Sequence, residues 1–97
     1  MQFGEILRQL RVDRGQGIKK LAPELGVNYS YLSKLENGYI GPSAELVVRV
    51  ADHFNYDRNR LLLSAGKVPE KILAILRENP DEALAYLRQR FGAAGGR

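Results

Sequence analysis

A chain of 97 residues, 44% apolar and 27% charged, has enough material for one compact core and too little for two independent ones. No apolar run approaches the ~18 residues of a membrane span, and Met1-Gln2-Phe3-Gly4-Glu5 does not read as a signal peptide, so a cytoplasmic protein is expected. With no cysteine and one histidine, the sequence excludes disulfides, thiolate metal sites and multi-histidine metal sites within one chain. The net charge of +4 favours a polyanion as partner. That charge is not held in a tail. Residues 1–66 carry nine Lys/Arg against seven Asp/Glu, and residues 67–97 carry six against four, so each part is +2.

The apolar period is helical throughout, and no segment alternates with period two, so an all-α fold without a sheet is expected. Residues 3–14 place Ile6, Leu7 and Leu10 on one stripe, and Gly15 supplies the C′ position that ends a helix. A second helix, about 18–25, carries Ile18, Leu21, Ala22 and Leu25, and Gly26 breaks it. Pro23 removes one hydrogen bond inside it and is expected to kink or shorten it, at ~3 kcal/mol if uncompensated. Asn28 is an N-cap for a third helix, about 29–36, with Val27 and Leu32 spaced as a hydrophobic staple, and Asn37-Gly38 stops it. Ser43 caps a fourth helix, about 44–54, that buries Leu46, Val47, Val50, Ala51 and Phe54. Asp57 caps a fifth, about 58–64, with Tyr56 and Leu61 as its staple, and Ser64-Ala65-Gly66 closes this part. Beyond it, 69–78 carries Ile72, Leu73, Ile75 and Leu76. Asn79-Pro80-Asp81-Glu82 reads as a capping box with proline at N1, opening a last helix over about 80–91 with Leu84, Leu87 and Phe91. Gly92 to Arg97 reads as a disordered tail.

Two short helices joined through Gly26, with the third helix beginning three residues later, form a helix-turn-helix arrangement. Ala22 is small where the two helices cross, and Gly26 tolerates positive φ at the turn. Leu21, Leu25, Val27, Leu32 and Leu35 lock the pair into a core. Tyr29, Ser30, Ser33 and Lys34 then share an outward polar face. No catalytic constellation competes with this reading. Asp52 and His53 are neighbours on one helix and point to different faces, His53 reads as a partly exposed surface histidine, and no Walker or Rossmann glycine loop is present.

Here the sequence resembles the helix-turn-helix domain of the Cro/C1 phage-repressor class, also called the xenobiotic-response-element type. The resemblance spans Ile6 to Leu63, about two thirds of the chain. It rests on Leu7-Arg8-Gln9-Leu10-Arg11, Leu21-Ala22, Leu25-Gly26-Val27, Tyr31-Leu32-Ser33-Lys34-Leu35-Glu36-Asn37-Gly38, Pro42-Ser43, Val50-Ala51 and Phe54. It implies a five-helix lambda-repressor-like DNA-binding domain over residues 1–66, followed by a helical extension over 67–97. It also implies a transcriptional regulator, more often a repressor, with no enzymatic activity and no cofactor. The third helix enters the major groove of double-stranded DNA. Carried over by position, Tyr29, Ser30, Ser33 and Lys34 become candidates for base-edge contact, with Lys34 suited to guanine O6 and N7. Asn28 and Asn37, with the backbone N–H groups of the Asn37-Gly38 turn, become phosphate contacts. Lys19 and Lys20 supply one phosphate-facing lysine and one solvated one. Arg11 and Glu36 match an internal salt bridge between the first and third helices.

The sequence departs from the family pattern at four places. Gly17-Ile18 stands where Thr or Ser and then Gln are usual, Gln16 fills a usually apolar position, Pro23 lies inside the second helix, and Tyr39-Ile40-Gly41 carries no Lys or Arg. Ile72, Ile75, Leu76, Leu84, Leu87 and Phe91 are more apolar surface than an extension needs to cap the domain. They are expected to form a homodimer interface for a palindromic operator, the alternative being that they complete a monomeric core. Two other functions stay open. One is the antitoxin of a toxin–antitoxin pair, binding DNA with the third helix and a toxin with the C-terminal helices. The other is a protein-interaction module that has lost DNA binding.

Overall fold

In the computed structural model, which describes residues 1–92, the chain forms α1 (Phe3–Asp13), α2 (Ile18–Glu24), α3 (Tyr29–Glu36), α4 (Ala44–His53), α5 (Arg58–Ser64), α6 (Glu70–Glu78) and α7 (Pro80–Phe91). Of the expected disordered tail, residues 93–97 lie outside the described residues. The described residues are all-helical and contain no strand. No described helix is long and apolar enough to cross a membrane. They separate into two units, Met1–Lys67 and the stretch from Val68 onward.

In the first unit the helix ends sit where local chemistry places them. Asn28 accepts from the Tyr31 N–H at 2.8 Å, Ser43 from the Leu46 N–H at 3.1 Å and Asp57 from the Arg60 N–H at 2.9 Å. Each side-chain oxygen satisfies a donor that the first helical turn leaves open. The turn after α2 needs glycine twice over. Gly26 has φ +74, and a Cβ there would meet Nη1 of Arg49 at 3.3 Å. That guanidinium is held in place because it donates to Leu25 O at 2.6 Å, closing the C-terminus of α2 from α4.

Pro23 lies in the last turn of α2, which stops one residue later after only seven residues. Position 23 lies past the first turn, so the missing proline N–H removes the bond that would go to the Lys19 carbonyl, and α2 is correspondingly short. The start of α2 has no side-chain cap, because Gly17 occupies that position.

Burial follows the apolar stripes. Leu7, Leu21, Ala22, Leu25, Leu32, Leu35, Val47, Val50, Ala51 and Leu61 are all sealed from solvent, with Phe3, Leu46 and Phe54 nearly so. Ile6, Leu10, Ile18, Val27 and Tyr56 pack on this cluster. Phe3, which the sequence reading left off the α1 stripe, is part of the core and carries the stripe back to the helix start. At ~1.5–3 kcal/mol per buried large side chain, this cluster is the main source of stability in the unit.

An ion pair ties α4 to α5. Arg58 donates from Nε and Nη2 to the two Asp52 oxygens at 2.8 and 2.7 Å. The hydrogen bonds from Arg58 lower the Asp52 carboxyl below its ordinary range, desolvation opposes them, and the charge of Arg58 adds to the lowering. A carboxyl depressed in the folded state stabilises above its unfolded pKa, ~3.9, and that contribution is lost as pH falls through the folded value. Asp52→Asn is therefore expected to melt at a lower temperature than the parent at pH 7. The gap should close as the pH drops below about 4, as measured by thermal melts across pH. A gap that persists unchanged at pH 2 would show that the charge pair is not its cause.

The second unit is a pair of helices, α6 and α7. Here the sequence expectation needs correcting at Asn79, which closes no capping box. Its side chain makes no cap bond, and its Nδ2 donates backwards to Ile75 O at 3.1 Å. Asn79 ends α6 and starts α7 at once, and its φ of −135° with ψ of 55° is not the extended conformation from which a cap reaches forward. Pro80 does occupy the first turn, where its lack of an N–H costs nothing.

Candidate nucleic-acid interface

Helix α3 has one buried side and one open side. Leu32, Leu35 and Glu36 face inward. Tyr29, Ser30 and Lys34 are exposed and Ser33 is half-buried. At 3.6 residues per turn these four lie within an arc of about 140°. At the start of the helix the Asn28 Oδ1 is occupied, accepting from the Tyr31 N–H and from Ser30 Oγ at 3.2 Å. Among the described residues the Asn28 Nδ2 has no partner, so it remains free to donate.

Lys19 and Lys20 are both exposed, but only Lys19 is brought to α3. Its Nζ stands 5.6 Å from the Tyr29 ring centroid. A lysine over an aromatic face is held by the ring quadrupole, worth ~0.5–1 kcal/mol at an exposed site. Lys20 follows about 100° further around α2.

The C-terminal end of α3 is fixed by a buried carboxylate. Glu36 has no exposed side-chain surface, and its oxygens accept from Arg11 Nε at 2.7 Å and Nη2 at 3.0 Å. Arg8 Nε stands 3.4 Å from the same carboxylate. The remaining Arg11 donor, Nη1, bonds Gln16 O at 2.8 Å, so one guanidinium holds α1, the start of α2 and the end of α3. The hydrogen bonds to Glu36 raise the Arg11 pKa above its ordinary value, burial lowers it, and the charge of Glu36 adds to the rise.

The groups of the Asn37-Gly38 turn are engaged within the protein. Asn37 Oδ1 accepts from Arg8 Nη2 and its Nδ2 donates to Ser33 O, both at 2.9 Å. The backbone N–H groups of Asn37, Gly38 and Tyr39 donate to Ser33 O, Leu35 O and Lys34 O. A phosphate at this corner would have to share donors that already close the helix.

Residues 4–67 match the helix-turn-helix domain family. The chain belongs to the helix-turn-helix family, Cro/C1 type. It is similar to a propionyl-CoA carboxylase regulator of Cereibacter sphaeroides, 36% identical over 75 residues, which cover 77% of this chain and 16% of that protein. It is similar as well to the HTH-type transcriptional regulator SlrR of Bacillus subtilis, 36% identical over 71 residues, 72% of this chain and 47% of SlrR. The chain thus spans less than half the length of these two curated relatives. In structure it resembles the clp gene regulator ClgR from Corynebacterium glutamicum with a TM-score of 0.57 at 28% identity, covering 92% of this chain and 89% of that one.

In a helix-turn-helix, α2 and α3 are the paired helices and α3 is the one with the open polar face. Among the contacts that the sequence does not announce are Arg8 to Asn37, Arg49 to Leu25 O, and Lys19 over Tyr29. Only the first carried a signal, since Arg8 and Arg11 are three apart and so share a side of α1.

His53 Nε2 lies 3.2 Å from Glu24 Oε1. Gln16 donates to the same Glu24 oxygen at 3.1 Å, which explains how an amide is held at a usually apolar position. Among the described residues no group of three or more His, Asp or Glu side chains is arranged to hold a metal ion.

Proposed function

We propose that the chain is a sequence-specific double-stranded DNA-binding transcriptional regulator, acting as a repressor and as a homodimer on a palindromic operator. The observation that carries this reading is the face of α3. Tyr29, Ser30, Ser33 and Lys34 are presented together on a helix whose other side is sealed into the core and whose end is locked by Glu36. A rigid helix with such a face can read base edges in the major groove. Lys34 is assigned to base contact, and Lys19 and the Asn28 Nδ2 to phosphates at the entry of α3. The relatives named as regulators support the regulatory role, and the sign of regulation rests on the resemblance to phage repressors.

The homodimer reading is supported by the second unit. Ile72, Ile75, Leu84, Leu87 and Phe91 are 41–68% exposed, with Leu76 half-buried. Two half-sites one helical turn apart, ~34 Å, would then be read together.

The test is fluorescence anisotropy on a duplex selected from a randomised pool, against a scrambled duplex, at two salt concentrations. Selective binding that weakens steeply with salt is expected, and Lys34→Ala should weaken it by roughly 5- to 100-fold. Absence of binding to any duplex at low salt would overturn the reading in favour of a protein-interaction module. The uncharged loop Tyr39-Ile40-Gly41, with Tyr39 78% exposed, favours that second reading.

A further inference from the structure

The second unit carries its own instruction for how two copies would meet. Leu84, Leu87 and Phe91 are spaced three and four apart, so they form a single seam along α7, and all three are exposed. Asp81 and Arg88 are exposed too. They stand seven residues apart and therefore flank this seam on the same side, one turn before and one turn after Leu84. The flank thus carries opposite charges at its two ends.

We infer that two copies of this chain pair through α7 in antiparallel orientation, with Asp81 of each copy facing Arg88 of the other. The orientation follows from the charges. In an antiparallel pair, the same flank of both helices meets across the seam, so Asp81 of one copy comes beside Arg88 of the second copy, and the pair repeats by symmetry. In a parallel pair, that flank meets the opposite flank, which presents Ala83 and Arg90. Arg88 would then face alanine, and Asp81 would gain no cation. Antiparallel pairing also sets Leu84 against Leu87 of the second copy and Phe91 against Pro80 of the second copy, so the seam is filled end to end. It further sets the positive end of each helix dipole beside the negative end of the other.

This inference rests on the homodimer reading and goes beyond it by fixing partner, orientation and charge register. Light scattering on the full chain at micromolar concentration is expected to show a dimer. Asp81→Arg alone and Arg88→Asp alone each place like charges opposite one another twice, and each is expected to weaken the dimer roughly tenfold. An equimolar mixture of these two variants should recover parental affinity as a heterodimer, since every facing pair is then opposite in sign. Helical circular dichroism of each variant checks that α7 is intact.

The absence of native cysteine makes a second readout clean. Under oxidation Leu84→Cys is expected to cross-link with itself, the two sites lying about 4.5 Å apart along the axis, while Phe91→Cys, roughly 16 Å apart, is not. A dimer indifferent to both charge reversals, a mixture that stays monomeric, or self-cross-linking at position 91 would each overturn antiparallel pairing and leave the homodimer standing. A monomeric parent chain would overturn both, and duplex binding by α3, measured separately, would be untouched.

Discussion

Replacing Glu36 by alanine is expected to destabilise the Met1–Lys67 unit by roughly 3–5 kcal/mol, the range for breaking a buried ion pair from one side. The carboxylate is fully enclosed and takes two short hydrogen bonds from Arg11, whose side chain is only 14% exposed. Truncation leaves the guanidinium desolvated with a single remaining partner, Gln16 O. A unit of this size has about 3–10 kcal/mol in total, so the loss is comparable to its whole stability. Arg8→Ala is the control. Its side chain is 52% exposed and its approach to Glu36 is long, 3.4 Å, so it should cost about 1 kcal/mol or less. Glu36→Gln keeps the volume and one acceptor and should fall between them. Urea unfolding followed by circular dichroism reads all three. If Glu36→Ala costs no more than Arg8→Ala, the carboxylate is not buried and α3 is not locked in this way.

The same pair shows what was readable from the sequence and what was not. Positions whose chemistry is local were legible. Gly15, Gly26, Gly38 and Gly66 all have φ between +65 and +77, where a turn needs glycine, and Asn28, Ser43 and Asp57 all cap. The helical period together with these caps and breakers predicted seven helices to within one or two residues at their ends. What was not legible depends on how helices cross. That Asn37 spends its amide on Arg8 and Ser33 cannot be seen without placing α1 beside the end of α3. Nor can it be seen that Lys19, not Lys20, stands over Tyr29. Asn79 failed for a different reason. The tetrapeptide Asn-Pro-Asp-Glu has the composition of a helix start, yet α6 ends at the residue before, and the carbonyl of Ile75 claimed the side chain first. Asn55, with φ +54, held a turn that no glycine marked, in keeping with the tolerance of asparagine for the left-handed region.

Gly4→Ala is expected to destabilise by about 2 kcal/mol, although a glance at the sequence argues the reverse. Gly4 lies in the first turn of α1, and alanine is favoured over glycine in a helix by up to ~1 kcal/mol. Sterics oppose that gain. A Cβ on Gly4 would stand 2.5 Å from Leu35 O and 2.8 Å from Glu36 O, far inside ordinary carbon–oxygen contact at ~3.3 Å. Both obstacles are backbone. Leu35 O already accepts the Gly38 N–H that closes α3, so it cannot swing away without opening that turn. Either α1 unwinds at its start, exposing Phe3, or α3 shifts outward. Overpacking of this kind costs ~1–3 kcal/mol or more, which outweighs the propensity. Gly41→Ala is the matched control, since its Cβ would meet nothing within 4 Å, and its stability should be unchanged or slightly raised. Thermal melts compare the two. A Gly4→Ala variant that melts at or above the parent would mean that α1 and α3 do not approach this closely. If instead it is destabilised but still folded, the same contact makes a prediction about recognition. The atoms displaced belong to the last turn of α3, so duplex affinity should fall by more than the unfolded fraction explains.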